Sequence, residues 1–190
     1  NARKQAIFTK TTQLFPNDFR AYNNLGEMAF AAGDMAKAES FFKQAAAKNA
    51  NAPEVNANLG LCELVKNNVA AAETFLGKAT GANAANEALG NLYIKQGQYQ
   101  RAVNAFGDAK TNSAAQAQIL AKDYNKAKAT LQAIQDKDAM TDYLMAIVGA
   151  RTNNESLVKS SIKSAIAKDA SLATKAANDR EFAKFASALK

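Results

Sequence analysis

Few side chains in this chain could do chemistry. Histidine and tryptophan are absent and Cys62 is the only thiol. Without histidine there is neither a Ser-His-Asp nor a Cys-His nucleophile, and no histidine-ligated metal. Cys62 lies among Leu61 and Leu64 in an apolar helical stretch, where a small buried residue is expected rather than a reactive thiol. A single cysteine forms no internal disulfide, so oxidising and reducing compartments both stay open. Glu39 and Glu73 recur at matching places in two similar stretches, which a structural helix face explains without acid–base work. "GQYQRAVNAFG", Gly97 to Gly107, lacks the lysine and the strand context of a phosphate loop. No enzyme, metal or cofactor is expected. Amides remain. Asparagine offers a donor and an acceptor together, which suits the backbone of an extended peptide whatever its sequence.

The elements that position these groups are helices. Of 190 residues 48% are hydrophobic, with only two prolines and nine glycines. Alanine, lysine, glutamine and glutamate are good helix formers, so the chain reads as all-α. The net charge of +7 sits at the two ends, in residues 1–15 and 151–190, and the centre is neutral. Lysines interleaved with acids make solvated helix faces, not a nucleic-acid stripe. The longest apolar run, "YLMAIVGA" from Tyr143 to Ala150, suits a buried helix and is too short to span a membrane. "NARKQAIFTKTTQLFPND" reads as starting inside a helix, so a longer parent protein with other domains is expected.

Three stretches repeat one another: "NLGEMAFAAGDMAKAESFF" (Asn24–Phe42), "NLGLCELVKNNVAAAETFL" (Asn58–Leu76) and "ALGNLYIKQGQYQRAVNAF" (Ala88–Phe106). Leu25 and Leu59, Gly26 and Gly60, Gly33 and Asn67, Ala38 and Ala72, and Ala45 and Ala79 are all separated by one constant interval. Leu89, Gly90, Tyr93, Gly97, Ala102, Phe106 and Ala109 supply a third copy. Pattern and interval resemble the tetratricopeptide repeat, a 34-residue helix–turn–helix unit. The resemblance implies a solenoid of antiparallel hairpins forming a right-handed superhelix with a C-terminal capping helix. On it, residues 1–15 are the second helix of a preceding partial repeat, followed by repeats at 19–52, 53–82 and 83–110. A shortened repeat at 113–136, a diverged one at 139–168 and a capping helix at 172–189 complete the array. Gly26, Gly60 and Gly90, with Ala38, Ala72 and Ala102, are expected where the two helices of a hairpin cross closely. Leu25, Phe42, Leu59, Phe75, Leu89 and Phe106 are expected to fill the space around them. Ala127 follows Ala102 by less than a full repeat, so either the fourth unit's first helix is stunted or the helix before it ends near Asp108.

In this family the first helices generally line a concave surface. The resemblance places Arg20, Asn23, Asn24, Glu27 and Phe30 there, then Glu54, Ala57, Asn58, Leu61 and Leu64, then Ala84, Glu87, Asn91, Ile94 and Lys95. The family's carboxylate clamp of lysine, asparagine and arginine is not matched, because only Asn58 fits it and Glu27 would repel the carboxylate. An asparagine ladder is matched by Asn24 and Asn58 and broken by Ala88. The implied function is a protein-interaction scaffold for a protein or an extended, partly apolar peptide with some basic character, without nucleic acid. The alternative is a spacer or oligomerisation module of a larger envelope protein. Composition and an isoelectric point of about 9.4 resemble bacterial periplasmic and envelope proteins that carry these repeats.

Overall fold

The computed structural model describes residues 2–79 and 81–189, in two compact units, 1–89 and 90–190, that divide between Leu89 and Gly90. Every regular element among the described residues is helical. The first unit holds α1 (Ala2–Leu14), α2 (Phe19–Ala31), α3 (Met35–Lys48), α4 (Pro53–Val65), α5 (Val69–Lys78) and the start of α6 (Asn83–Lys95). The second holds the rest of α6, then α7 (Tyr99–Phe106), α8 (Asn112–Leu120), α9 (Tyr124–Ala133), α10 (Ala139–Arg151), α11 (Glu155–Lys168), α12 (Leu172–Asn178) and a terminal 3₁₀ helix, Arg180–Leu189. The chain is thus an all-helical repeat of hairpins, in which α2 packs on α3, α4 on α5, α8 on α9 and α10 on α11.

Short side chains start these helices. Asp18, Asp34, Thr111, Asp123, Asp138 and Asn154 each accept a hydrogen bond from a backbone N–H in the first turn that follows. Pro53 opens α4, where a missing N–H is harmless. The turns inside the hairpins share one geometry. Gly33, Asn67, Gly97, Lys122 and Asn153 all take positive φ, from 55° to 80°. The residue after each donates its N–H to the carbonyl five positions back, as Asp34 does to Ala29 at 2.9 Å and Asn68 to Glu63 at 2.8 Å. Glycine suits this conformation best, and Lys122 holds it at a cost of about 1–2 kcal/mol.

The close crossings follow a register of sixteen. A methyl group placed on Gly26 would lie 2.4 Å from the Phe42 ring, one on Gly60 2.6 Å from Leu76, and one on Gly90 2.5 Å from Phe106. Leu76, 1% exposed, therefore fills the second crossing, where the sequence pattern points to Phe75. Phe75 is half-buried and packs instead on the cluster around Phe42, Val55 and Cys62. Later in the chain Ala115 shares a core with Leu131, and Ala146 with Ile162. Both pairs keep the same register, with alanine in place of glycine and no aromatic ring opposite.

The shortening of the fourth unit is shared between two helices. α7 has 8 residues and ends at Phe106, and α8 has 9. The tail is helical but divides at Asp179, with a further kink at Phe185. The side chain of Leu189, the last residue of the expected capping helix, lies outside the described residues.

Candidate protein-interaction surface

The first-helix positions of the first unit do not form one uniform lining. Asn23, 4% exposed, donates from Nδ2 to Glu27 Oε1 at 2.8 Å. Asn58 on α4 donates from Nδ2 to Asn23 Oδ1 at 3.0 Å and to Glu27 Oε1 at 3.1 Å. Three of the residues named from the sequence are thus brought together, and they bond one another across the α2–α4 contact. The Asn58 amide hydrogens are committed inside the protein, in a charge-assisted link.

Asn24 precedes Asn58 by one repeat and occupies the same place on α2. Its half-buried amide has no hydrogen-bond partner among the described residues. It lies in a depression of about 400 Å³ between α1 and α2, lined by Lys4, Ile7, Phe8, Asn24, Glu27, Met28 and Ala31. Ile7 is 54% exposed at its edge. Lys4, Ile7 and Phe8 do not stand out in the sequence, since the clear copies of the pattern begin after them. Phe8 stands one repeat before Phe42, and that is the signal by which they could be found.

The other named positions are placed differently. Arg20 grips Asp18, with Nε 2.9 Å from Oδ1 and Nη2 2.6 Å from Oδ2. That guanidinium, together with the Arg20 N–H, lowers the Asp18 carboxyl to about 2. Phe30 is half-buried against the α2–α3–α4 core, and Leu64 against Ala57, Leu76 and Ala85. Glu54, Ala84 and Glu87 are exposed and Leu61 is half-buried. In the second unit Asn91 and Ile94 are half-buried and Lys95 is exposed.

Nothing among the described residues of the first unit is arranged as a reactive centre. Burial pushes the Cys62 thiol up, helped by Glu39 and Glu63, so the thiolate is disfavoured. Those two acids are held ionised by lysines. Glu39 is lowered by Lys43 and then Lys66, and Glu63 by Lys66 and then Asn68. Lys66 Nζ lies 3.1 Å from Glu39 Oε1 and 2.5 Å from Glu63 Oε1, joining α3 to the end of α4. Among the described residues no helix is long and apolar enough to cross a membrane.

Three family models, each described as tetratricopeptide repeat, match residues 4–53, 29–93 and 85–113. Among curated proteins no match is found. Among solved structures the chain is similar to PilF of Pseudomonas aeruginosa, with a TM-score of 0.70 and 14% identity over 95% of this chain and 86% of that one. It is similar to YrrB, described as a TPR protein with an unusual peptide-binding site, at TM-score 0.66 and 18% identity over 86% and 92%. It is also similar to PilW, described as a widely conserved type IV pilus biogenesis factor, at TM-score 0.62 and 20% identity over 97% and 89%. At these identities the likeness establishes the fold.

Proposed function

The chain belongs to the tetratricopeptide-repeat family, and from that premise we propose that it is a non-catalytic scaffold that binds a peptide or partner protein. The binding surface we assign is the first-helix face of the N-terminal unit. Proteins of this family generally mediate protein–protein contacts, and one structural relative is described as having a peptide-binding site. The observation that carries the reading is the contrast between two asparagines one repeat apart. Asn58 spends its amide on Asn23 and Glu27, whereas Asn24 holds an unpartnered amide over Ile7, Phe8 and Met28. Unpaired polar groups beside apolar side chains gain most when a ligand both covers and satisfies them.

A library of displayed peptides panned against the immobilised protein tests the proposal. Binders of micromolar affinity, about −8 kcal/mol, are expected. Asn24→Ala should weaken them by about 1 kcal/mol and leave the urea midpoint of the protein unchanged. Selection of no binder, or of binders indifferent to Asn24→Ala, would move the function to a spacer role within a larger protein.

A further inference from the structure

We propose that the α2–α4 face of the first unit is a cation-recognition site, at which a partner segment presents a basic side chain, arginine above all, to Glu27 and Asn58. The inference rests on the scaffold reading and names the chemistry by which that surface selects its partner. The hydrogen-bonding atoms already spent set the polarity of this face. A carboxylate only accepts, so any amide that bonds Glu27 must turn its nitrogen toward it. Asn23 and Asn58 both do so, at 2.8 and 3.1 Å, and Asn58 Nδ2 also donates to Asn23 Oδ1 at 3.0 Å. The donors of Asn58 are thus used up between the helices, and Asn23 is buried. Acceptors are what remain for a ligand. Glu27 Oε2 and Asn58 Oδ1 accept no hydrogen bond from the described residues, and Asn58 Oδ1 is open to solvent. An acceptor-only surface that includes a carboxylate is met best by a donor carrying positive charge.

The chain's own cations do not fill the site. Asp18, Glu39 and Glu63 each hold an arginine or a lysine, whereas Glu27 and Glu54 form no ion pair with the described residues. Glu54 is exposed one turn before Asn58 on α4, so both acids flank that amide. Arg20, the cation on α2, is committed to Asp18. Lys4 lines the depression beside Glu27 without closing an ion pair on it. Beyond Asn58 the face turns apolar. Leu61 and Val65 follow it at helical spacing on one stripe of α4, Leu61 half-buried and Val65 58% exposed. Arginine suits these neighbours better than lysine, because its planar fork meets both acceptors while its stem lies on apolar surface. The partner segment therefore carries arginine with an aliphatic side chain close by. Net charge does not supply this preference. The chain is +7 overall, so a basic peptide is attracted only where acids are locally unpaired.

Pools of short, fluorescently labelled, end-capped peptides test the proposal. Each pool fixes one central residue as arginine, lysine, citrulline or glutamate and randomises the others among uncharged residues. In anisotropy titrations with the whole chain, the arginine pool should bind about tenfold tighter than the citrulline pool, which keeps the shape and loses the charge. Lysine should fall between them and glutamate should bind worst. Glu27→Gln keeps an acceptor for Asn23 and Asn58, so the α2–α4 contact survives, and it should bring the arginine and citrulline pools to within about twofold of each other. Glu155→Gln, at the exposed start of α11, should leave their ratio unchanged. If the arginine and citrulline pools bind the unaltered protein alike, the cation site is wrong while the scaffold reading stands. The same conclusion follows if no pool binds where displayed library peptides do. Equal loss of the ratio in Glu27→Gln and Glu155→Gln would show a diffuse effect of charge and overturn the site. If neither pools nor library peptides bind, both readings fall.

Discussion

The first and last helices treat their apolar groups in opposite ways. α1 buries none of its residues, and Ile7, Leu14 and Phe15 stand exposed. In the tail, Phe182 and Phe185 are buried with Tyr143, Ile162 and Leu172 in one cluster. Phe182 meets the Tyr143 ring edge-on at 5.5 Å between centroids, and the Tyr143 hydroxyl donates to Asp179 Oδ2 at 2.7 Å. Burial, together with that carboxylate, pushes the phenol above its ordinary range. Arg151 holds Glu181 with two hydrogen bonds, and Lys184 donates to Asn153 at 2.6 Å. A stacked repeat has an apolar face on each side to cover. The tail spends polar and aromatic contacts on closing that face, whereas α1 buries no side chain against the described residues.

The largest expected effect separates the two regions directly. Phe182→Ala should cost about 3–5 kcal/mol in urea unfolding, because an almost fully buried ring leaves a cavity. Phe15→Ala, at 61% exposure, should change stability by less than about 0.5 kcal/mol. Equal effects would mean that the tail is not a packed seal.

The second contrast lies in the pairs sixteen residues apart, with glycine at 26, 60 and 90 and alanine at 115 and 146. Gly26→Ala places a methyl group against Phe42 and should cost about 1–3 kcal/mol. Combining it with Phe42→Leu recreates the alanine–leucine pairing of Ala115 and Leu131. The two changes should therefore be less than additive, with a coupling of about 1 kcal/mol in a double-mutant cycle. Strict additivity would show that small residue and ring are not matched to each other.

The smallest effect concerns Asp138, which caps α10. The Thr141 N–H is the main cause of its lowered carboxyl, with the Thr141 hydroxyl and the Asn112 amide adding to it. A depressed acid stabilises the fold above its unfolded value of 3.8, and that contribution is lost as pH falls through the folded value. Asp138→Ala should cost about 1 kcal/mol at neutral pH. The gap from wild type should close as the pH falls below 3.8, as followed by thermal melts. A gap independent of pH would remove the charge from the account.

The constant repeat period made the hairpins legible, because Gly26 and Gly60 mark the crossings at matching places. What it could not resolve was a shift of one residue. Phe75 and Leu76 are both apolar neighbours, and amphipathicity admits either at the crossing. Only the constant separation from the glycine to its partner selects Leu76. Nor could the sequence show that Asn23, Glu27 and Asn58 bond one another, since residues 31 and 35 apart meet only when successive first helices stack with the observed offset. One consequence is that Asn58→Ala should lower stability by about 1 kcal/mol, unlike Asn24→Ala. The division of the tail at Asp179 had a local trace in the sequence. Asn178 and Asp179 favour caps, and Asp179 accepts the Glu181 N–H at 3.0 Å.

The register of the crossings also governs how quickly this chain can find its fold. Gly26 and Phe42, Gly60 and Leu76, and Gly90 and Phe106 each close a loop of the same modest length, and short loops lose little entropy on closing. Each hairpin can therefore assemble from a single stretch of chain before any distant segment is required. Proteins dominated by such near-neighbour contacts fold in microseconds to milliseconds. Residues emerge from the ribosome at about 5–20 per second, so every hairpin has time to close long before the next one has been made.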